Sequence, residues 1–334
     1  MASARQTKIP DGGVVVLVYH RVGPSGNDPL GLNVTAEHLA RHLEVLGSRR
    51  YRPTSLTRLA GALREDAVPP NAIAVTFDDG YRGVLTEAKP LLEKSGIPAT
   101  SFVPSGFVGA EEFWWEELDD LIPGSTNGGS NPRRGIGRAK RLTAGVLRRG
   151  DGRTRLYREH FLRLRVLEPA ERRAALDELA AHLPARRSPR PTSLPLSSGE
   201  LRALAAGDLV TVGAHTVTHP VLALLSPEAQ EQEIAGSKFE LEQLLDRPVG
   251  SFAYPYGGPT EYSAPAVTAV RRAGFDLACA NVPGLVRPGT DVFQIPRFVV
   301  RDWDGETFER HLEHWISGAE PNPRRRLALR KMAS

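Results

Sequence analysis

Two adjacent carboxylates, and two histidines four positions apart, are the residues of this 334-residue chain best suited to chemistry. Asp78 and Asp79 close the apolar run Ala72–Phe77 and precede Gly80. Asp-Gly alone marks a turn. Two carboxylates at the mouth of a buried strand can do more, because neighbouring residues on an extended backbone point opposite ways and can serve two sides of one cleft. His215 and His219 bring both imidazoles to one side of a single turn, and Pro220 disfavours helical geometry at His219. Joined by a carboxylate from another strand end, they form a two-histidine, one-carboxylate site with open positions. Zinc held in that way lowers the pKa of its bound water from about 15.7 to roughly 7. One aspartate would hold the metal and the other would take the water's proton. Such a base needs a cation to orient it, and Arg297 is the candidate.

The elements that must position these groups alternate. Val14–Tyr19 reads as a buried strand ending at His20. Thr35 caps a helix with Leu39, Leu43 and Leu46 on its apolar face, and a second helix follows Ser55. After the strand Ala72–Phe77, a helix carries Val84, Ala88, Leu91 and Leu92 to a left-handed stop at Gly96, and Ala99–Val103 is the next strand. The pattern breaks between about Gly109 and Pro195, then resumes with strands at Leu209–Gly213, Gly250–Tyr254, Asp276–Ala280 and Val292–Pro296. Asp304 caps a last helix with Phe308, Leu312 and Trp315. Repeated strand then helix implies parallel strands with helical crossovers. His20, the pair Asp78 and Asp79, His215, Tyr256 and Arg297 lie just past different apolar runs or in the loops beyond them, and in a parallel barrel those ends converge on one face. The expected fold is therefore α/β, a distorted (β/α) barrel of about seven parallel strands with a helical arginine-rich insertion. Its expected organisation is an N-terminal arm over 1–13, the barrel over 14–320 with the insertion at about 109–195, and a basic tail over 321–334.

The break itself holds Phe113-Trp114-Trp115, an acidic amphipathic piece, a Gly/Ser/Asn-rich stretch and arginine-rich helices. It reads as an insertion laid over one face of the barrel, without chemistry of its own. From Arg133 to Arg190 it carries 17 Lys and Arg against 6 Asp and Glu, in a chain whose net charge is only +4. The remainder is thus mildly acidic. Nucleic-acid binding is disfavoured, since the basic residues lack interleaved aromatics or a reader motif. A solvated helical face explains the surplus, and an anionic or membrane-surface substrate would also suit it. The single cysteine, Cys279, excludes an internal disulfide and any multi-cysteine metal site. No run is long and apolar enough to span a membrane, and the polar residues Met1–Gly13 lack the apolar core of a leader, so the expectation is a cytoplasmic protein.

Thr76-Phe-Asp-Asp-Gly80, His215-Thr-Val-Thr-His219 and Phe252-Ala-Tyr-Pro-Tyr-Gly257, in that order and spacing, closely resemble the first three motifs of the polysaccharide deacetylases, the NodB-homology enzymes of carbohydrate esterase family four. The match covers roughly Val14–Val108 and Leu196–Val300. The resemblance implies hydrolysis of N-acetyl groups on amino sugars with a divalent metal, usually zinc. It makes Asp78 the catalytic base and Asp79, His215 and His219 the metal ligands. It also makes the Tyr256 backbone N–H an oxyanion donor, with the Tyr256 ring walling the sugar site. Ala253 stands where the commonest third motif has arginine. This resembles a branch in which Tyr19-His20-Arg21 comes first in the chain and His20 supplies the general acid, while the arginine of Ile295-Pro296-Arg297 replaces the missing one beside Asp78. Trp114 and Trp115 are candidates to stack on a sugar ring, with packing of the insertion as their alternative role.

The substrate expected on this reading is an acetylated oligosaccharide, lipid-linked sugar or small glycoside. Two other functions use the same residues. A two-histidine, one-carboxylate iron oxygenase shares the ligand set, but such enzymes ride antiparallel jelly rolls, which the strand-helix alternation contradicts. A non-catalytic carbohydrate-binding relic would keep the metal site without turnover.

Overall fold

In a computed structural model the described residues are 13–122, 152–182 and 189–317. The arm before Gly13, the Gly/Ser/Asn-rich stretch and the basic tail lie outside them. Eight strands form one parallel sheet: β1 (Val15–Tyr19), β4 (Arg52–Pro53), β5 (Ala72–Phe77), β6 (Ala99–Val103), β7 (Val210–Ala214), β8 (Ser251–Ala253), β9 (Leu277–Cys279) and β10 (Phe298–Val299). Their spatial order is β10-β1-β5-β6-β7-β8-β9, with β4 paired to the start of β5. Every pairing in this sheet is parallel, from Leu17 beside Phe298 to Cys279 beside Ala253. Two further short strands, β2 (Arg21–Val22) and β3 (Asn33–Val34), pair with each other just beyond β1.

Alternation along the strands divides the core. Val14 and Val16, Ala72 and Ala74, Phe102, Ala253, Cys279 and Ile295 share one buried cluster, which the helix Leu56–Arg64 closes with Leu56, Leu59 and Ala60. Val15, Leu17, Tyr19, Ile73, Val75 and Phe77 belong to the other, packed under the outer helices. Both faces of the parallel strands are therefore dry, which is why the strands are almost wholly apolar. The small side chains Ala72, Ala74 and Thr76 leave room inside the barrel at the level where Asp78 follows. Cys279 packs in that interior as a small core residue, its thiol pushed up to about 12 by burial.

The helix boundaries follow their caps. Thr35, Ser55, Ser226 and Asp304 each accept a hydrogen bond from the residue three positions on, and Ser197 with Glu200 forms a complete capping box. Gly96 ends its helix at φ +65°. No helix among the described residues is long and apolar enough to cross a membrane.

Five of the expected strands differ from the sequence reading. Those expected from Val14, Leu209, Gly250 and Asp276 shift or shorten by one or two residues. The fifth difference is larger. Val292–Pro296 is not a strand: Asp291 accepts from the Phe293 N–H and organises a turn with Gln294, and Pro296 has no N–H to donate. Only Ile295 bridges to Cys279. The strand proper starts at Phe298, so Arg297 stands before a strand and not past the end of one. The segment from Ala280 to Val299 thereby spans the gap between β9 and β1 and completes the barrel wall.

Candidate active site

The strands β1, β5, β7 and β8 deliver His20, Asp78, Asp79, His215, His219 and Tyr256 to one end of the barrel, where they line a cavity of about 380 Å³. Asp78 continues the inward register of Ala72, Ala74 and Thr76, and its N–H donates to Tyr19 O at 2.9 Å. Asp79 and Gly80 then both turn left-handed, at φ +71°. The two carboxylates diverge because of this turn, not because the strand continues. Gly80 is required here, since a Cβ on that backbone would also lie 2.9 Å from Val103 Cγ1.

Asp79 faces the two histidines. Its Oδ1 lies 3.6 Å from His215 Nε2 and 3.3 Å from His219 Nε2. The three groups are buried, and one ligand atom from each falls within 4.8 Å of the others. His215 Nδ1 is 2.7 Å from Ala253 O, which fixes the donor tautomer at Nδ1 and leaves Nε2 with its lone pair toward Asp79. Charge, burial and donor type suit a divalent cation of zinc's kind. Burial raises the Asp79 carboxyl, but the neighbouring His215, His219 and His20 imidazoles outweigh it and hold the group below the usual carboxylate range.

The turn carrying the histidines is costly to make. Thr216 and His219 have φ +66° and +57°, a region that β-branched and bulky residues avoid. A carboxylate from the helix Pro227–Leu245 stabilises it: Glu233 accepts from the Val217 and Thr218 N–H groups at 2.8 Å each and from Thr218 Oγ1 at 2.6 Å. Thr216 Oγ1 accepts from the His219 N–H at 3.1 Å. No motif in the sequence pointed to Glu233; only its place on the inward side of a helix packed behind the turn could have.

Asp78 belongs to a different partnership. Arg297, wholly buried, donates from Nη1 and Nη2 to its two oxygens at 2.7 Å each. The same guanidinium reaches Thr76 Oγ1 and Ala280 O, so its plane is fixed. Burial raises the Asp78 carboxyl; Arg297 and His215 more than reverse this and hold it below its ordinary value. His20 sits among these groups with Nδ1 buried and unpartnered. Burial lowers its pKa, while Asp79 and Asp78 draw it back up. Such an imidazole is a weak base and, once protonated, a strong proton donor.

Tyr256 has φ +59°, and its N–H donates to no main-chain carbonyl among the described residues. Its ring packs 4.8 Å from His219 and lies under the guanidinium of Arg165. Trp115 also lines the cavity, 4.9 Å from the His219 ring, with Nε1 donating to Tyr81 Oη at 2.6 Å. Trp114 is not part of the lining. It stacks on Phe161 and carries Arg172 over its face, so it packs the insertion instead of walling the site.

The insertion supplies more of the site than the sequence reading gave it, which was Trp114 and Trp115 alone. Its helix Gly152–Leu164 and the residue after it contribute Tyr157, Phe161 and Arg165 to the cavity. Its acidic helix, Trp114–Leu121, supplies Glu116, which accepts from Arg21, Arg190 and Tyr81 Oη. These residues carry no recognisable spacing in sequence, because a cavity wall needs only shape.

The sequence profile of the family described as Polysaccharide deacetylase matches residues 65–124 and 186–278. YxkH of Bacillus subtilis, a protein classed with the polysaccharide deacetylases, is 19% identical over 300 residues, covering 89% of this chain and 75% of its own length. The poly-beta-1,6-N-acetyl-D-glucosamine N-deacetylase of Escherichia coli K12 is 30% identical over 91 residues, 27% of this chain and 14% of that enzyme. Among solved structures, IcaB from Ammonifex degensii superposes with a TM-score of 0.58 at 22% identity, over 92% of this chain and 97% of its own. The Streptococcus pyogenes deacetylase PplD, solved with acetate, gives 0.58 at 16% identity, over 90% and 98%.

Proposed function

We propose that this chain, which the polysaccharide deacetylase profile matches over residues 65–124 and 186–278, hydrolyses the N-acetyl amide of an amino sugar or glycoconjugate and releases acetate, using a divalent metal, most suitably zinc. The observation that carries this reading is the division between neighbours: Asp79 converges with His215 and His219, while Asp78 is gripped by Arg297 alone.

Asp79, His215 and His219 would hold the metal. When bound, a cation there supplies a Lewis acid that polarises the amide carbonyl and lowers the pKa of water at the site. Asp78 would accept the proton of the attacking water, with the Arg297 fork keeping the carboxylate ionised and aimed. Arg297 acts through Asp78 and is a positioning residue. The Tyr256 N–H would donate to the oxygen that gains negative charge. An amine departs poorly unless protonated, and His20 would give it that proton.

Incubating metal-loaded protein with N-acetylated oligosaccharides, lipid-linked sugars and small glycosides tests the reading. Acetate released in step with free amine is the expected result. Binding without any release would favour the carbohydrate-binding relic. The iron-oxygenase alternative loses its support on the parallel barrel.

A further inference from the structure

The wall of the cavity away from Asp78 and the histidines has an unusual character for a carbohydrate site. Pro29, Leu30 and Leu32 come from the loop after β2, Val299 from β10, and Tyr157 and Phe161 from the insertion helix. A second sugar unit would bring several hydroxyls here, and each needs a partner once it leaves water. These side chains provide almost none. Tyr157 Oη already donates to Trp115 O at 3.2 Å.

The polar residues that hold the 28–32 loop are committed to building the wall. Asp28 accepts from the Leu32 and Asn33 N–H groups and from Arg21 Nη2 at 2.7 Å. Arg301, from beyond β10, donates to Leu30 O and Gly31 O. Arg158, from the insertion helix, donates to Pro29 O at 3.1 Å. Gly31 takes φ +66°, the left-handed turn that brings the loop back on itself. Three arginines from three parts of the chain thus fix a five-residue loop so that it presents aliphatic side chains to the cavity. Preformed apolar surface of this kind binds apolar groups without an ordering cost.

We propose that this wall is an apolar subsite, and that the substrate is a single acylated amino sugar bearing an alkyl, acyl or lipid-like group in place of a second sugar. The sugar part of this proposal rests on the deacetylase reading; the apolar part does not. The cavity volume of about 380 Å³ is near the small end of ligand pockets, which suits one ring and a few methylenes better than a polymer segment.

Calorimetry on the intact protein tests it without requiring turnover. The probes are deacetylated glucosaminides with methyl to octyl aglycones, and glucosamine oligomers of one to four units. Each added methylene should tighten binding about fourfold over the first several carbons, while added sugar units should change affinity little. Leu30→Gln and Phe161→Ala should each flatten the dependence on chain length. Leu32→Gln, at a half-buried position, replaces Phe161→Ala should that variant fail to fold. Affinity that climbs with sugar units and ignores alkyl length would overturn the subsite. Length-dependent binding with no acetate released from the acetylated forms would sustain the subsite and overturn the reaction, so the two failures are separable.

Discussion

The floor of the cavity and its roof are built by different means. On the floor, backbone geometry places the reactive groups: parallel strands end together, and left-handed residues at Asp79, Thr216, His219 and Tyr256 aim the side chains. On the roof, side chains hold elements in place. Arg153 pairs with Asp119 at 2.9 Å, Arg173 with Glu117 at 2.6 Å, and Arg190 and Arg21 with Glu116 at 2.8 and 2.9 Å. On the proposed reading, chemistry sits on a scaffold that tolerates little movement, and selectivity on a part that can vary without disturbing it. The roof also engages part of the basic surplus, through Arg153, Arg173 and Arg190. Among the described residues, these arginines dock the insertion onto carboxylates and carbonyls, which leaves the anionic-substrate expectation with less charge than the sequence count suggested.

The comparison can be broken at several points. Short of removing either aspartate, the largest effect on turnover is expected at the floor, where His20→Ala should slow amide hydrolysis by about 10²- to 10⁴-fold. An activated ester should suffer much less, because its leaving group needs no proton; equal losses would make His20 structural. Glu233→Ala should act through the histidine turn, weakening metal binding by about 10- to 100-fold, the range usual for groups that orient ligands. Metal titration reads this directly, and unchanged affinity would show that the turn holds without Glu233.

Asp119→Ala probes the roof. It leaves Arg153 buried without its carboxylate, and the loss of such a pair costs about 3–5 kcal/mol of stability. A lowered urea midpoint and a raised KM are expected, and a wild-type midpoint would show that the insertion is not docked by this pair.

The smallest effect on turnover belongs to the far side of β1, where His42 is wholly buried, stacks 4.1 Å from Phe308 and has Nε2 2.7 Å from Trp303 O. Burial lowers its pKa to about 4. The unfolded chain therefore takes up the proton first. This contribution to stability is whole above pH 6.5 and is lost as pH falls from there to about 4, by roughly 3 kcal/mol. His42→Gln should show a shallower fall in urea midpoint across that window; an identical fall would place the acid sensitivity elsewhere.

The division between floor and roof also explains what could be read from sequence. Strand ends followed by a histidine or a pair of aspartates are local signals, and the capped helices with their apolar faces are too. The barrel and the convergence of Asp79 with His215 and His219 were accessible for that reason. Arg297 was found for an incomplete reason: it was placed past a strand that does not form, yet Pro296 and the turn at Asp291 still bring it to Asp78. Tyr157, Phe161, Arg165 and Leu30 gave no signal, because an apolar or basic residue on a helix looks the same whether it faces a core or a cavity. Trp114 and Trp115 are adjacent and chemically identical, and only the packing of the insertion separates the one that lines the cavity from the one that does not.

The central claim is that adjacent aspartates have separate work, and metal content measured beside acetate release tests it most directly. Asp78→Asn should retain about one zinc per chain and release no acetate, since an amide cannot take the water's proton. Asp79→Ala should lose both. Equal metal loss in the two variants, or turnover that survives Asp78→Asn, would contradict the account.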